Sequence, residues 1–222
     1  MIRQTASTAS NAKWEWHQDK ATSECEPILR IAPSVVVQIL DEGNARYAAE
    51  KPTRPNRELL RRIVAGEQGE YPFAVVVTAS DSRVIVEEIF DRGIGDLFVV
   101  TVHGGSLGDV HIGSVEFAVE ELYASVIVVL GHSGLAEHRS ARNDGQSDRK
   151  QTRRTFSFED VPRTLEALDG LVRRSMDDLS RLSQPISTKI IAGEVMVVGA
   201  IYDGCTGRIQ WLNHRAAGSR NH

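Results

Sequence analysis

The sequence predicts an α/β fold in which a mainly parallel central sheet is flanked by helices. Three observations carry that reading. Residues 73–77, 97–102 and 126–130 are continuously apolar and rich in β-branched side chains, which suits parallel strands buried on both faces. Stretches of helical periodicity lie between and around them, and such alternation builds right-handed βαβ units. With 222 residues, 41% of them hydrophobic and 25% charged, the chain can bury a core of one compact domain.

The elements follow in order. Residues 33–49 predict a helix, because Val36, Ile39, Leu40 and Tyr47 recur near helical spacing while Asp41, Glu42 and Arg46 can face water. Pro52 and Pro55 break it. A second helix is expected over 57–65, with Leu59, Leu60, Ile63 and Val64 as its apolar side. The strand at 73–77 runs into small polar residues, so a functional loop is expected at its carboxyl end. After the strand at 97–102, residues 114–122 place Val115, Phe117, Ala118, Val119 and Leu122 in a helical pattern. The strand at 126–130 comes next. Residues 139–154 are polar and read as a surface loop or insert. An amphipathic helix is expected over 165–182, then a strand at 194–202, a turn through Asp203, Gly204, Cys205, Thr206 and Gly207, and a last strand ending near Trp211 and Leu212. The domain organisation expected is a tail or arm over 1–30, the folded domain over 31–214 and a short tail over 215–222.

Bulk properties exclude some functions. A net charge of −4 argues against a nucleic-acid partner held by phosphate contacts. No apolar run reaches the roughly 18 residues needed to cross a bilayer, so no membrane partner is expected. The first ten residues lack the apolar core of a secretory signal, and their Ser and Thr content reads as a disordered tail rather than a targeting segment. Cys25 and Cys205 are the only cysteines. They give neither a disulfide framework nor a zinc spacing, and the default location is the cytoplasm.

Particular residues carry more. Ala79-Ser80-Asp81-Ser82-Arg83 is similar to the Cys-x-Asp-Ser-Arg motif of the β-class carbonic anhydrases, and His132-Ser133-Gly134-Leu135 resembles their His-x-x-Cys motif. Further ordered matches lie over 40–47, over 88–100 and in Gly199-Ala200-Ile201-Tyr202-Asp203 with Thr206-Gly207. The resemblance runs from about Val37 to Leu212. It implies the β-carbonic anhydrase fold with an N-terminal helical arm, a site at the carboxyl ends of parallel strands, and a homodimer or higher homo-oligomer whose pocket lies near the dimer interface.

In that family Cys, His and Cys hold a zinc ion that lowers the pKa of bound water to about 7. Here Ala79 and Leu135 stand at the two cysteine positions, and neither side chain can bind zinc. No cofactor is therefore expected. The resemblance pairs Asp81 with Arg83, whose planar donors suit a carboxylate. Glu70 stands where the family has a substrate-contacting glutamine, and His103 enters a strand end where Thr101 and Gly105 replace an arginine and an asparagine.

The site expected from these matches has Asp81, Arg83, His132, His103 and Glu70 as acid/base or anion-binding groups. Ser82, Gly104, Gly105, Ser133 and Gly134 are the expected substrate contacts. The function expected is a carbonic anhydrase-like protein, not a normal CO2 hydratase, whose pocket binds or transforms a small carbonyl or carboxylate compound without metal. One alternative is a non-catalytic interaction or regulatory protein. Another is a carbonate dehydratase with substituted cysteines or a different metal, for which Asp81, His103 and His132 would form a two-histidine, one-carboxylate set, with His111 and His138 as further donors.

Overall fold

The computed structural model describes residues 30–80, 84–102, 107–133 and 165–212. Its centre is a five-stranded sheet of order β2-β1-β3-β4-β5. The strands are β1 (Ala74–Ala79), β2 (Leu97–Val102), β3 (Val126–His132), β4 (Met196–Tyr202) and β5 (Ile209–Leu212). The first four run parallel and β5 returns antiparallel to β4.

Alternation along the strands divides the core between two helical layers. Val75, Val77, Ile127 and Val129 face a layer that includes Val115 and Ala118 of α4 (Asp109–Glu120), Val172 and Leu179 of α5 (Leu165–Leu182) and Ile186 of α6 (Gln184–Ile191). Val76, Val128, Leu130 and Ala200 face the other way, onto Val36 and Leu40 of α1 (Pro33–Ala48) and Val86 and Ile89 of α3 (Val86–Ile89). Burial on both faces explains why β1 and β3 are apolar runs rather than alternating ones.

Two glycines let α5 close on the sheet. A Cβ at Gly131 would lie 2.9 Å from Leu168 and Val172, and one at Gly199 would lie 2.7 Å from the Met176 sulfur. On the other face Asn44 of α1 is buried and bonds three backbone groups: its amide donates to the carbonyls of Ile89 and Gly207, and its oxygen accepts from Ile209. Trp211 Nε1 donates to Asp41 at 2.8 Å. Helix α1 is thus fixed to both α3 and the β4–β5 hairpin.

Several expectations need correction. Arg46 does not simply face water; its Nε donates to buried Asp91. Helix α2 (Leu59–Gln68) keeps the expected apolar side, but Leu59, Leu60 and Ile63 are 62%, 71% and 45% exposed, since nothing among the described residues covers that face. Helix α4 begins five residues earlier than its periodicity implied, at a glycine N-cap. Strand β4 begins at Met196 rather than 194, because Val195 still bonds back to Lys189. The expected loop at 139–154, residues 1–29 of the expected tail or arm over 1–30, and the expected tail over 215–222 lie outside the described residues. Among the described residues no helix is long and apolar enough to cross a membrane.

Candidate functional site at the carboxyl edge of the sheet

The parallel strands deliver three chain ends to one edge. Ala79 ends β1 and pairs in register with Val102, the end of β2. On the other side of β1, β3 ends at His132. The segments that follow carry Asp81, Ser82 and Arg83 after β1, His103, Gly104 and Gly105 after β2, and Gly134 and Leu135 after β3. These eight residues lie outside the described ones. The described ends of β1, β2 and β3 share one edge of the sheet, the edge at which parallel sheets carry ligand sites.

His132 is 6% exposed. It follows Val128 and Leu130 on the α1 face of the sheet and lies in register with Tyr202 of β4. The Tyr202 hydroxyl meets that of Tyr47 on α1 at 3.3 Å. Burial, followed by the Tyr47 hydrogen bond, pushes the Tyr202 phenol well above its ordinary titration range, so it stays neutral at physiological pH. The residue in register with His132 on β4 is thus a neutral phenol.

The next residue meets a different environment. Ser133 donates to the carboxylate of Asp203, which also accepts from the Thr206 hydroxyl at 2.7 Å and from the Cys205 N–H at 2.9 Å. The Thr206 hydroxyl, then the Cys205 N–H, holds Asp203 below the usual carboxylate range. A fixed negative charge therefore sits one residue beyond His132. Tyr47, Tyr202 and Asp203 were not among the expected site residues. The signal for Asp203 was present: Asp followed by small turn residues forms an Asx turn, which fixes its carboxylate.

Glu70 is placed elsewhere. It precedes β1 and lines a cleft of about 450 Å³ with Arg57, Glu88, Arg92 and Leu97, at the strands' amino ends. Within one chain the six-residue β1 separates it from Ala79 and His132.

The described donors do not fit a zinc ion held by thiolates. Ala79 offers a methyl group at the end of β1, and Cys205 is exposed in the β4–β5 turn. Among the described residues no three His, Cys, Asp or Glu side chains gather into a metal-binding group. His111 uses its Nδ1 locally, accepting from Gly108 N–H at 3.1 Å, and His138 lies outside the described residues.

Comparison with known proteins agrees with this architecture. A sequence profile described as carbonic anhydrase matches residues 74–209. The chain is 33% identical to carbonic anhydrase 2 of Mycobacterium tuberculosis over 197 residues, covering 82% of this chain and 94% of that one. It is 31% identical to a carbonic anhydrase of Mycolicibacterium smegmatis, with the same coverage. Among solved structures, the β-carbonic anhydrase CafA of Aspergillus fumigatus aligns with a TM-score of 0.51 at 22% identity, over 84% of this chain and 92% of that one. A match to two tetrameric β-carbonic anhydrases of Sordaria macrospora has a TM-score of 0.50 at 21% identity, over 81% and 97%. The fold is that of the β-carbonic anhydrases. This chain belongs to the β-carbonic anhydrase family.

Proposed function

We propose that this protein is a β-carbonic anhydrase homologue that works without the Cys/His/Cys zinc site and uses the carboxyl-edge pocket for a small carbonyl or carboxylate compound. The observation that carries the reading is that Ala79 ends β1 while buried His132 ends the neighbouring strand β3. One strand end keeps a nitrogen donor and the other supplies only a methyl group. Leu135 in the segment after His132 extends the same change.

In this reading His132 gives or takes a proton at the ligand. Arg83 orients Asp81, so that the two bind the ligand's polar end, and Ser82, Ser133 and the glycines at 104, 105 and 134 shape the remainder. His103 is a second proton-transfer group. The Asp203 carboxylate anchors Ser133 and fixes where the segment after His132 departs. Such groups suffice for anion binding and general acid/base chemistry.

The same reading makes the protein a homo-oligomer of the cytoplasm. Support for assembly comes from the uncovered Leu59, Leu60 and Ile63 on α2, because an apolar face of that kind is a common contact surface, and from the tetrameric Sordaria macrospora relatives. A dimer would also give Glu70 a route to a partner's pocket that it lacks within its own chain.

The test is elemental analysis of protein purified without added metal, paired with a CO2 hydration assay on the same preparation. The expected result is less than a tenth of an equivalent of zinc and no hydration above the uncatalysed rate. Stoichiometric zinc with fast hydration overturns the proposal.

A further inference from the structure

The start of α4 holds an imidazole where a helix usually has a glutamate or glutamine. His111 is the third residue of the helix, and its Nδ1 accepts the N–H of the N-cap residue Gly108 at 3.1 Å. The Gly108 carbonyl in turn accepts the N–H groups of His111 at 2.9 Å and Ile112 at 3.1 Å. This is the reciprocal arrangement of a capping box, normally closed by a carboxylate or amide side chain. A backbone N–H can only donate, so Nδ1 carries the lone pair and the imidazole proton sits on Nε2.

Protonation would reverse the contact. Nδ1 would become a donor facing a donor, and a positive charge would appear at a helix N-terminus that already carries positive partial charge. Little else secures this turn: Val110 is 81% exposed, and Ile112 is the first buried residue of the helix. We propose that His111 is a pH-sensitive latch, fastening the first turn of α4 when neutral and releasing it when protonated.

Among the described residues α4 packs chiefly on β1, β2 and α6, and Arg30 donates to its Val119 carbonyl at 2.7 Å, near the end opposite His111. Strands β1 and β2 carry no titratable side chain. The single one on α6, Lys189, pairs with Glu194 at 3.3 Å, in a groove shared with Glu120 at the other end of α4. On α4's own first turn the charged neighbour is Asp109. Imidazole is the side chain that can change charge between about pH 5 and 8, and that is the span the latch would answer to. The latch's placement gives it a role: Gly108 caps the helix that follows β2, whose last residue, Val102, lies at the carboxyl edge.

The test is 15N NMR and amide hydrogen exchange on the full chain between pH 8 and pH 5, with exchange corrected for its intrinsic pH dependence. In the unaltered protein the Gly108 amide signal is expected to move with the His111 titration, and protection of the Gly108 and Ile112 amides is expected to fall roughly fivefold on acidification, the scale of losing one cap. His111→Gln keeps a neutral acceptor that does not titrate, and it should make both readouts flat. A Gly108 amide that ignores the His111 titration overturns the proposal, as does the same pH dependence in the glutamine variant. If that variant does not fold, the imidazole 15N shifts of the unaltered protein decide: a proton on Nδ1 at pH 8 also overturns it.

Discussion

Arg46 Nε lies 2.7 Å from Asp91 Oδ2, and the aspartate side chain it meets is fully buried. The same carboxylate accepts the N–H and hydroxyl of Thr53 and the N–H of Arg54. Burial alone would raise the pKa of Asp91, but these four donors outweigh it and hold the group well below the ordinary carboxylate range. One side chain thereby fastens α1 and the double-proline segment to the turn after α3.

Asp91→Asn should cost about 3 kcal/mol at pH 7, the scale of breaking a buried pair from one side. Asparagine tolerates the positive φ of 48° found there, so the loss reports charge and hydrogen bonding rather than backbone strain. The sign with pH follows from the depressed native value. The contribution is complete above the unfolded carboxylate value of about 3.9 and disappears as pH falls below it toward the native value. Urea unfolding at pH 7 and pH 3 should show a smaller difference between the two proteins at the lower pH.

Gly131→Ala should destabilise by about 1–3 kcal/mol through overpacking, because the new methyl would press on Leu168 and Val172 at 2.9 Å. The adjacent residue is His132, so the imidazole signal in an NMR spectrum should shift as well. An unchanged melting temperature would contradict the close seating of α5 on β3.

The double variant Ala79→Cys, Leu135→Cys should take up about one equivalent of zinc, completing with His132 the three protein ligands typical of catalytic zinc sites. Each single variant should bind it far more weakly. Elemental analysis after dialysis reads both, and failure of the double variant to bind zinc would mean that these positions do not converge.

Leu59→Glu with Leu60→Glu should dissociate the proposed homo-oligomer while leaving the fold of the subunit within about 0.5 kcal/mol, as expected for exposed positions. Their exposures of 62% and 71% make a loss of core packing an unlikely result. Analytical ultracentrifugation against urea unfolding separates the two effects.

The strands were the most legible part of the sequence. Residues such as Val75, Val76, Ile127 and Val128 are buried whichever face they take, so an uninterrupted apolar run identifies the strand without any knowledge of its neighbours. Short helices left weaker traces. The four residues of α3 complete barely one turn, too few for periodicity, whereas α6 had a usable signal in Ser183 with Pro185 behind it: Ser183 caps the Ile186 N–H. The start of α4 was missed because Gly108 and His111 replace the usual capping residues. For the candidate site, sequence order revealed which residues follow strands β1, β2 and β3. It could not reveal that Tyr202 lies in register with His132 and meets Tyr47 through their hydroxyls, since both depend on the sheet's register and on where α1 lies across it.

Gly43 shows what the scaffold refuses. A Cβ on this residue would fall on the Phe90 carbonyl oxygen, so the backbone of α1 touches the end of α3 with no room for any side chain. Ala79 sits at a partly open strand end, where a change of side chain alters chemistry without moving the backbone. Drift at Gly43 would unseat a helix. Lineages descending from this chain are thus free to exchange ligands at the rim, yet each must inherit the same bare contact beneath α1.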